Sequence, residues 1–149
     1  PPDVCVLMGA PNGTTMQRAV RVRSLKGVPF SHLTTWLPEE IGRSFSEDEM
    51  RQQPLLALIE RAGHRVTRAQ QSIGAKRAAP EVADRLQIEP GAPLLAVRRR
   101  VFDAEGRVVE LINGLYRPDT YEHHMEFDRS AGSSAQVWTA RAAGDDLSA

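Results

Sequence analysis

Cysteine is nearly missing from this chain of 149 residues, and Cys5 alone cannot close an internal disulfide. That scarcity is expected of a protein kept in a reducing cytoplasm. Net charge is missing too: 19 basic residues balance 19 acidic ones. A nucleic-acid-binding domain ordinarily carries a clear basic excess, so this segment is not expected to hold DNA itself. No apolar run approaches the roughly 18 residues a transmembrane helix needs, so no membrane partner is expected. The chain opens on Pro1 rather than Met, as expected of a fragment or a processed product.

Motifs of catalysis are just as scarce. There is no Gly-x-Ser-x-Gly elbow, no glycine-rich phosphate cradle and no defensible Ser/His/Asp set. No cofactor or metal is expected: His32 and His64 lack partners at ligand spacing, and on a strand the adjacent His123 and His124 would face opposite ways.

What is present reads as alternating strands and short helices. Residues 1–18, rich in Pro, Gly and Thr, are expected as a loop or docking arm. Ala19 to Leu25 alternates, with Val20 and Val22 on one face and Arg21 and Arg23 on the other. Phe30 to Leu37 continues as a second strand, and Pro38 begins a helical turn. Ser46 with Glu49 forms a capping box, and Pro54 opens a helix whose Leu55, Leu58, Ile59 and Ala62 share one face before Gly63. Val66 to Ile73 reads as a strand, Pro80 starts a helix burying Val82, Ala83 and Leu86, and Glu89-Pro90-Gly91 suits a type II turn.

Leu94 to Phe102 and Arg107 to Tyr116 form a hairpin whose turn uses Gly106. Along its second strand Glu110, Ile112, Gly114 and Tyr116 point one way, and Val109, Leu111, Asn113 and Leu115 the other. Tyr121 to Phe127 reads as one more strand. From Ser130 the chain becomes a Ser/Ala/Gly tail of low expected order, Trp138 notwithstanding. About five to six strands with flanking short helices make an α+β domain built on one antiparallel sheet. The divisions are 1–18, 19–129 and 130–149.

Two constellations carry possible chemistry. Arg21 and Arg23, about 7 Å apart on one strand face, can clamp a carboxylate or phosphate through forked hydrogen bonds. The plainer reading is a pair of solvated arginines. Glu110 and Tyr116 offer an acceptor and a donor to a ligand; the plainer reading is a salt bridge from Glu110 to Arg98, Arg99 or Arg100 beside a core tyrosine.

The order Arg21-x-Arg23, Gly27-x-Pro29, Trp36-Leu37-Pro38, Ala62-Gly63, Ala78 to Leu86, Gly91-x-Pro93, Asp103-x-x-Gly106 and Glu110 to Tyr121 resembles the UTRA domain, over about Val20 to Arg129. That is the effector-sensing domain of GntR-superfamily, HutC-type bacterial transcription regulators. The resemblance implies a chorismate-lyase-like fold, a homodimer, a small-molecule effector, and DNA binding only through an N-terminal winged-helix domain absent from this segment. It implies that Arg21 and Arg23 hold an anion and that Glu110 and Tyr116 contact the effector. It also marks two departures from phosphosugar-sensing members: Leu33 stands where they carry a Glu, and Gln53-Pro54 where they carry a phosphate-binding Ser. The expected effector is therefore a smaller, less polar carboxylate or other anion. The alternatives are a chorismate-lyase-like enzyme and a dimerisation module with a vestigial pocket.

Overall fold

The computed structural model describes residues 1–129 and 138–141. Five antiparallel strands form the main sheet: β1 (Met16–Leu25), β2 (Val28–Pro38), β3 (Val66–Arg77), β4 (Pro93–Asp103) and β5 (Val108–Tyr116). They lie in the order β1-β2-β5-β4-β3, so β5 is central and β1 and β3 form the edges. Among the described residues, five helices flank them: α1 (Pro2–Met8), α2 (Glu39–Gly42), α3 (Glu47–Gln52), α4 (Leu55–Arg61) and α5 (Pro80–Leu86). The α+β architecture expected from the sequence is the one observed.

Local chemistry explains where the elements begin and end. Ser46 caps α3 by accepting from the Glu49 amide at 3.2 Å, while the Glu49 carboxylate accepts from the Ser46 amide at 2.8 Å. Gly63, at φ 95°, ends α4 in the left-handed conformation that costs glycine least. In the Glu89-Pro90-Gly91 turn the Ala92 amide donates to the Glu89 carbonyl at 3.1 Å, with Gly91 at φ 83°.

Helices cover the two faces of the sheet unequally. On one face, α2, α3 and α4 close one end, packing Ile41, Phe45, Met50, Leu58 and Ile59 against Leu37, Val101 and Val109. On the opposite face, α1 buries Val4 and Met8 against Trp36, Phe102, Val108 and Leu111, and α5 buries Ala83 and Leu86 with Ala78 and Leu94.

Three features depart from the sequence reading. The first segment is no loose arm: α1 starts at Pro2, where a missing N–H is harmless, and its apolar side chains complete the second cluster. Val109 does not share a face with Leu111. Glu110 pairs with Val101 but Val108 with Phe102, so Val109 is the extra residue of a bulge and turns into the cluster of Leu37 and Val101. After Tyr116 the chain runs irregularly to Met125, and the short β6 (Glu126–Arg129) pairs with β7 (Trp138–Arg141) instead of joining the sheet. Part of the segment expected as a tail is therefore strand; residues 130–137 and 142–149 lie outside the described residues.

The β4–β5 turn is held by a buried acid. Asp103 accepts from the Arg107 amide at 2.8 Å and lies 3.3 Å from His64 Nδ1. Burial alone would raise its pKa, but the Arg107 amide and His64 outweigh that and hold it below the ordinary value. A carboxyl lowered in the folded state stabilises above its unfolded pKa, and the contribution is lost as pH falls through the folded value. Urea melts of the Asp103→Asn variant should therefore lose less stability than the parent between about pH 4 and pH 2; equal acid sensitivity would contradict this role. Met8→Ala should cost about 2–4 kcal/mol in the same assay. A change below about 0.5 kcal/mol, the usual surface value, would mean that α1 is a detachable arm after all.

Candidate functional site

Register brings the residues of interest onto one face, because directly opposed residues on antiparallel strands point the same way. Arg21 pairs with Leu33, Leu33 with Gly114, and Gly114 with Val97. One step along, Arg23 pairs with Ser31, Ser31 with Tyr116, and Tyr116 with Leu95. One step the other way, Ile112 lies between Thr35 and Arg99. Glu110 follows on this face, at the rim of the cluster under α2–α4.

Tyr116 and Gly114 fit together tightly. A Cβ on Gly114 would lie 2.6 Å from the Tyr116 ring and 3.1 Å from the Leu33 side chain. The ring therefore lies back over the strand, filling the place a side chain would take. Tyr121 stacks on it, with ring centroids 4.2 Å apart and planes 23° from parallel. The loop that returns Tyr121 is tied by Arg117, which pairs with Asp119 at 2.6 Å and donates to the Pro29 and Leu86 carbonyls.

The polar groups are unevenly satisfied. Arg21 donates to the Met50 carbonyl at 2.8 Å, at the end of α3, and Arg99 donates to Gln71 at 2.9 Å. Arg23 lies over the Phe30 ring at 5.9 Å. Glu110 is only 6% exposed, yet among the described residues no hydrogen bond or ion pair reaches it. The expected salt bridge to an arginine of β4 does not form: Arg98 turns to Asn113, Arg99 to Gln71 and Arg100 to Gln70. Burial pushes the Glu110 carboxyl up to about 7 against the opposing pull of Arg99 and Arg21. The Tyr116 hydroxyl is raised by burial first and by Tyr121 second, so it stays a donor at neutral pH. The Ser31 hydroxyl is fully buried without a partner among the described residues.

Arg21, Arg23, Leu33, Glu110 and Tyr116 thus share one face: alternation implied it for each pair on its own strand, and the register of β1, β2 and β5 brings the strands' faces together. Gln53 and Pro54 do not join them through any described hydrogen bond or ion pair. They sit exposed between α3 and α4, beyond the turn that Arg21 reaches through Met50. Two neighbours were hidden from the sequence. Arg99 lies within a run of three arginines whose phase only the β4–β5 register decides, and Ser31 is two residues before Leu33 on the same strand. A recess of about 200 Å³ opens across β3, β4 and β5, lined mainly from the opposite face by Ser72, Lys76, Arg98 and Asn113 but also by Val97 and Gly114 of the Arg21 row. Among the described residues it has no buried unpartnered acid or phenol.

An antiparallel sheet with helices on both faces, and a cationic, partly aromatic wall around a buried acid, defines a small-molecule-binding domain. The chain belongs to the UTRA domain family, whose model matches residues 1–122. The HTH-type transcriptional repressor NagR of Bacillus subtilis is 26% identical over 127 residues, covering 83% of this chain and 52% of NagR. The HTH-type transcriptional regulator Rv0792c of Mycobacterium tuberculosis is 30% identical over 121 residues, covering 73% of this chain and 42% of its own. The chain therefore spans about half the length of these curated relatives.

Solved structures agree. The ligand-binding domain of a GntR-family transcriptional regulator from Bordetella bronchiseptica superposes with TM-score 0.77 at 29% identity, covering 86% of this chain and 81% of that one. A transcriptional regulator from Streptomyces coelicolor gives TM-score 0.73 at 33% identity, with 80% and 79% covered. The family match also begins at residue 1, so α1 lies within the matched domain.

Gly114→Ala tests the geometry of this wall. The added methyl must displace Tyr116 or Leu33, so the variant should lose about 1–3 kcal/mol of stability. The aromatic resonances of Tyr116 and Tyr121 should shift together. Unchanged stability with unchanged tyrosine resonances would contradict the close fit.

Proposed function

We propose that this domain binds a small anionic metabolite against Arg21, Arg23, Glu110 and Tyr116. In the full-length regulator that binding alters how a winged-helix domain engages operator DNA. The observation that carries the reading is a buried acid, Glu110, that no protein group among the described residues bonds, on the face that also bears Arg21, Arg23, Arg99 and the buried phenol of Tyr116. Leaving such groups without partners costs free energy, which a ligand supplying the missing hydrogen bonds would offset. Leu33, in the same row as Arg21, adds an apolar patch and favours a less polar ligand than a phosphosugar.

The rest of the reading follows the family. HutC-type regulators act as cytoplasmic homodimers, and β3 offers a second copy an edge strand of 12 residues exposed along nearly its whole length. Such a domain senses its ligand without turning it over, and an Arg pair with a Glu on a shared fold is weak support for lyase chemistry.

A thermal-shift screen against organic acids, amino acids and sugar phosphates tests the reading. A binder at 100 times its Kd stabilises by about 2.7 kcal/mol. Organic acids are expected to raise the melting temperature of the parent but not of the Arg21→Ala/Arg23→Ala variant. Binding of phosphosugars but no organic acid would overturn the ligand class. A response that survives in the double variant would overturn the site.

A further inference from the structure

Glu110 is placed so that its charge and the ligand's charge compete for the same neighbours. Its cross-strand partner is the apolar Val101, and α3 and α4 add Met50, Leu58 and Ile59 to the cluster around Val101. The charged groups acting on it are Arg99 from β4 and Arg21 from β1. β2 contributes Leu33 and Thr35 to this face, and β5 itself contributes Tyr116. Neither guanidinium forms an ion pair with Glu110.

An anion held by these arginines would cancel the field that favours a carboxylate at Glu110 and would set a like charge beside it. A neutral carboxyl avoids both penalties and gains a use, because its O–H can donate to an acceptor oxygen on the ligand. An ammonium group would act the other way, pairing with the carboxylate and driving the proton off.

We infer that Glu110 meets the effector as a neutral carboxylic acid donating its O–H to a ligand oxygen, so that the site selects acids lacking an amine and takes up one proton from solvent as each binds. The inference rests on the effector-site reading above. Burial has already lifted the free carboxyl to about 7, which puts the uptake in the neutral range. Arg21 and Arg99 have backbone and amide partners of their own, so the acid is not locked in its ionised form by a preformed salt bridge.

Sulfate is a suitable probe because it keeps its two charges between pH 6 and pH 8. Calorimetric titration of the whole chain, in buffers of different ionisation enthalpy, reads affinity and proton uptake together. Sulfate affinity is expected to fall by up to about tenfold per pH unit above the free-state midpoint, with close to one proton taken up per sulfate at pH 8. Glu110→Gln, which imitates the neutral acid, should bind sulfate with little pH dependence and no uptake. Sulfate that binds the parent equally at pH 6 and pH 8, or that shows the same pH dependence in Glu110→Gln, overturns the coupling and leaves the pocket standing. Sulfate that fails to bind at any pH, or that binds undiminished to the Arg21→Ala/Arg23→Ala variant, overturns the pocket and this inference with it. Ethanesulfonate and taurine share a sulfonate and differ by an ammonium; ethanesulfonate should bind several-fold tighter, and an equal or reversed order overturns the exclusion of amines.

Discussion

The register of β5 is the constraint on which the site depends. The strand is paired on both sides, with β2 and with β4, so its phase decides which side chains of three other strands it meets. The bulge at Val109 lets that phase serve two apolar clusters at once. Val108 enters the cluster under α1, Val109 enters the one under α2–α4, and Glu110, Ile112, Gly114 and Tyr116 remain on the face of Arg21 and Arg23. A slip of one residue would exchange the faces and turn Glu110 toward α1.

Packing and polarity on that face pull in different directions. Gly114 leaves room for the Tyr116 ring, Leu33 closes beside it, and Tyr121 stacks on its outer side. A polar group buried near such contacts is costly unless it finds a partner. Glu110 and Ser31 are buried without partners among the described residues, whereas Asp103, equally buried, is satisfied by the Arg107 amide and His64. Two buried acids of one hairpin are thus handled differently. The one in the turn has its charge satisfied by fixed donors, as a part that holds the fold would. The one at the rim is left open, as a part that reads a ligand would be.

Much of this was legible in the sequence because it depends on short-range rules. Alternation put Arg21 and Arg23 on one face of their strand and Glu110 and Tyr116 on one face of theirs, while Ser46/Glu49 and Glu89-Pro90-Gly91 marked a cap and a turn. What escaped depends on partners distant in the chain. α1 contains few residues and is stable only because Val4 and Met8 meet Trp36 and Phe102, which proline content near the N-terminus concealed. Arg98, Arg99 and Arg100 cannot be told apart until β4 is set against β5. The strand expected over Tyr121 to Phe127 starts only at Glu126, because the Arg117–Asp119 turn brings the chain back so that Tyr121 covers Tyr116.

The central claim is that the Arg21/Glu110 face, and not the recess on the other side of the sheet, receives the effector. Arginine Nε–Hε resonances separate the two directly, since Arg21, Arg23 and Arg99 lie on one face and Arg98 lines the other. On titration with an organic acid that stabilises the domain, the first three should shift in a saturable manner while Arg98 stays in place. Saturable shifts at Arg98 and Lys76, with Arg21, Arg23 and Arg99 unmoved, would contradict the account.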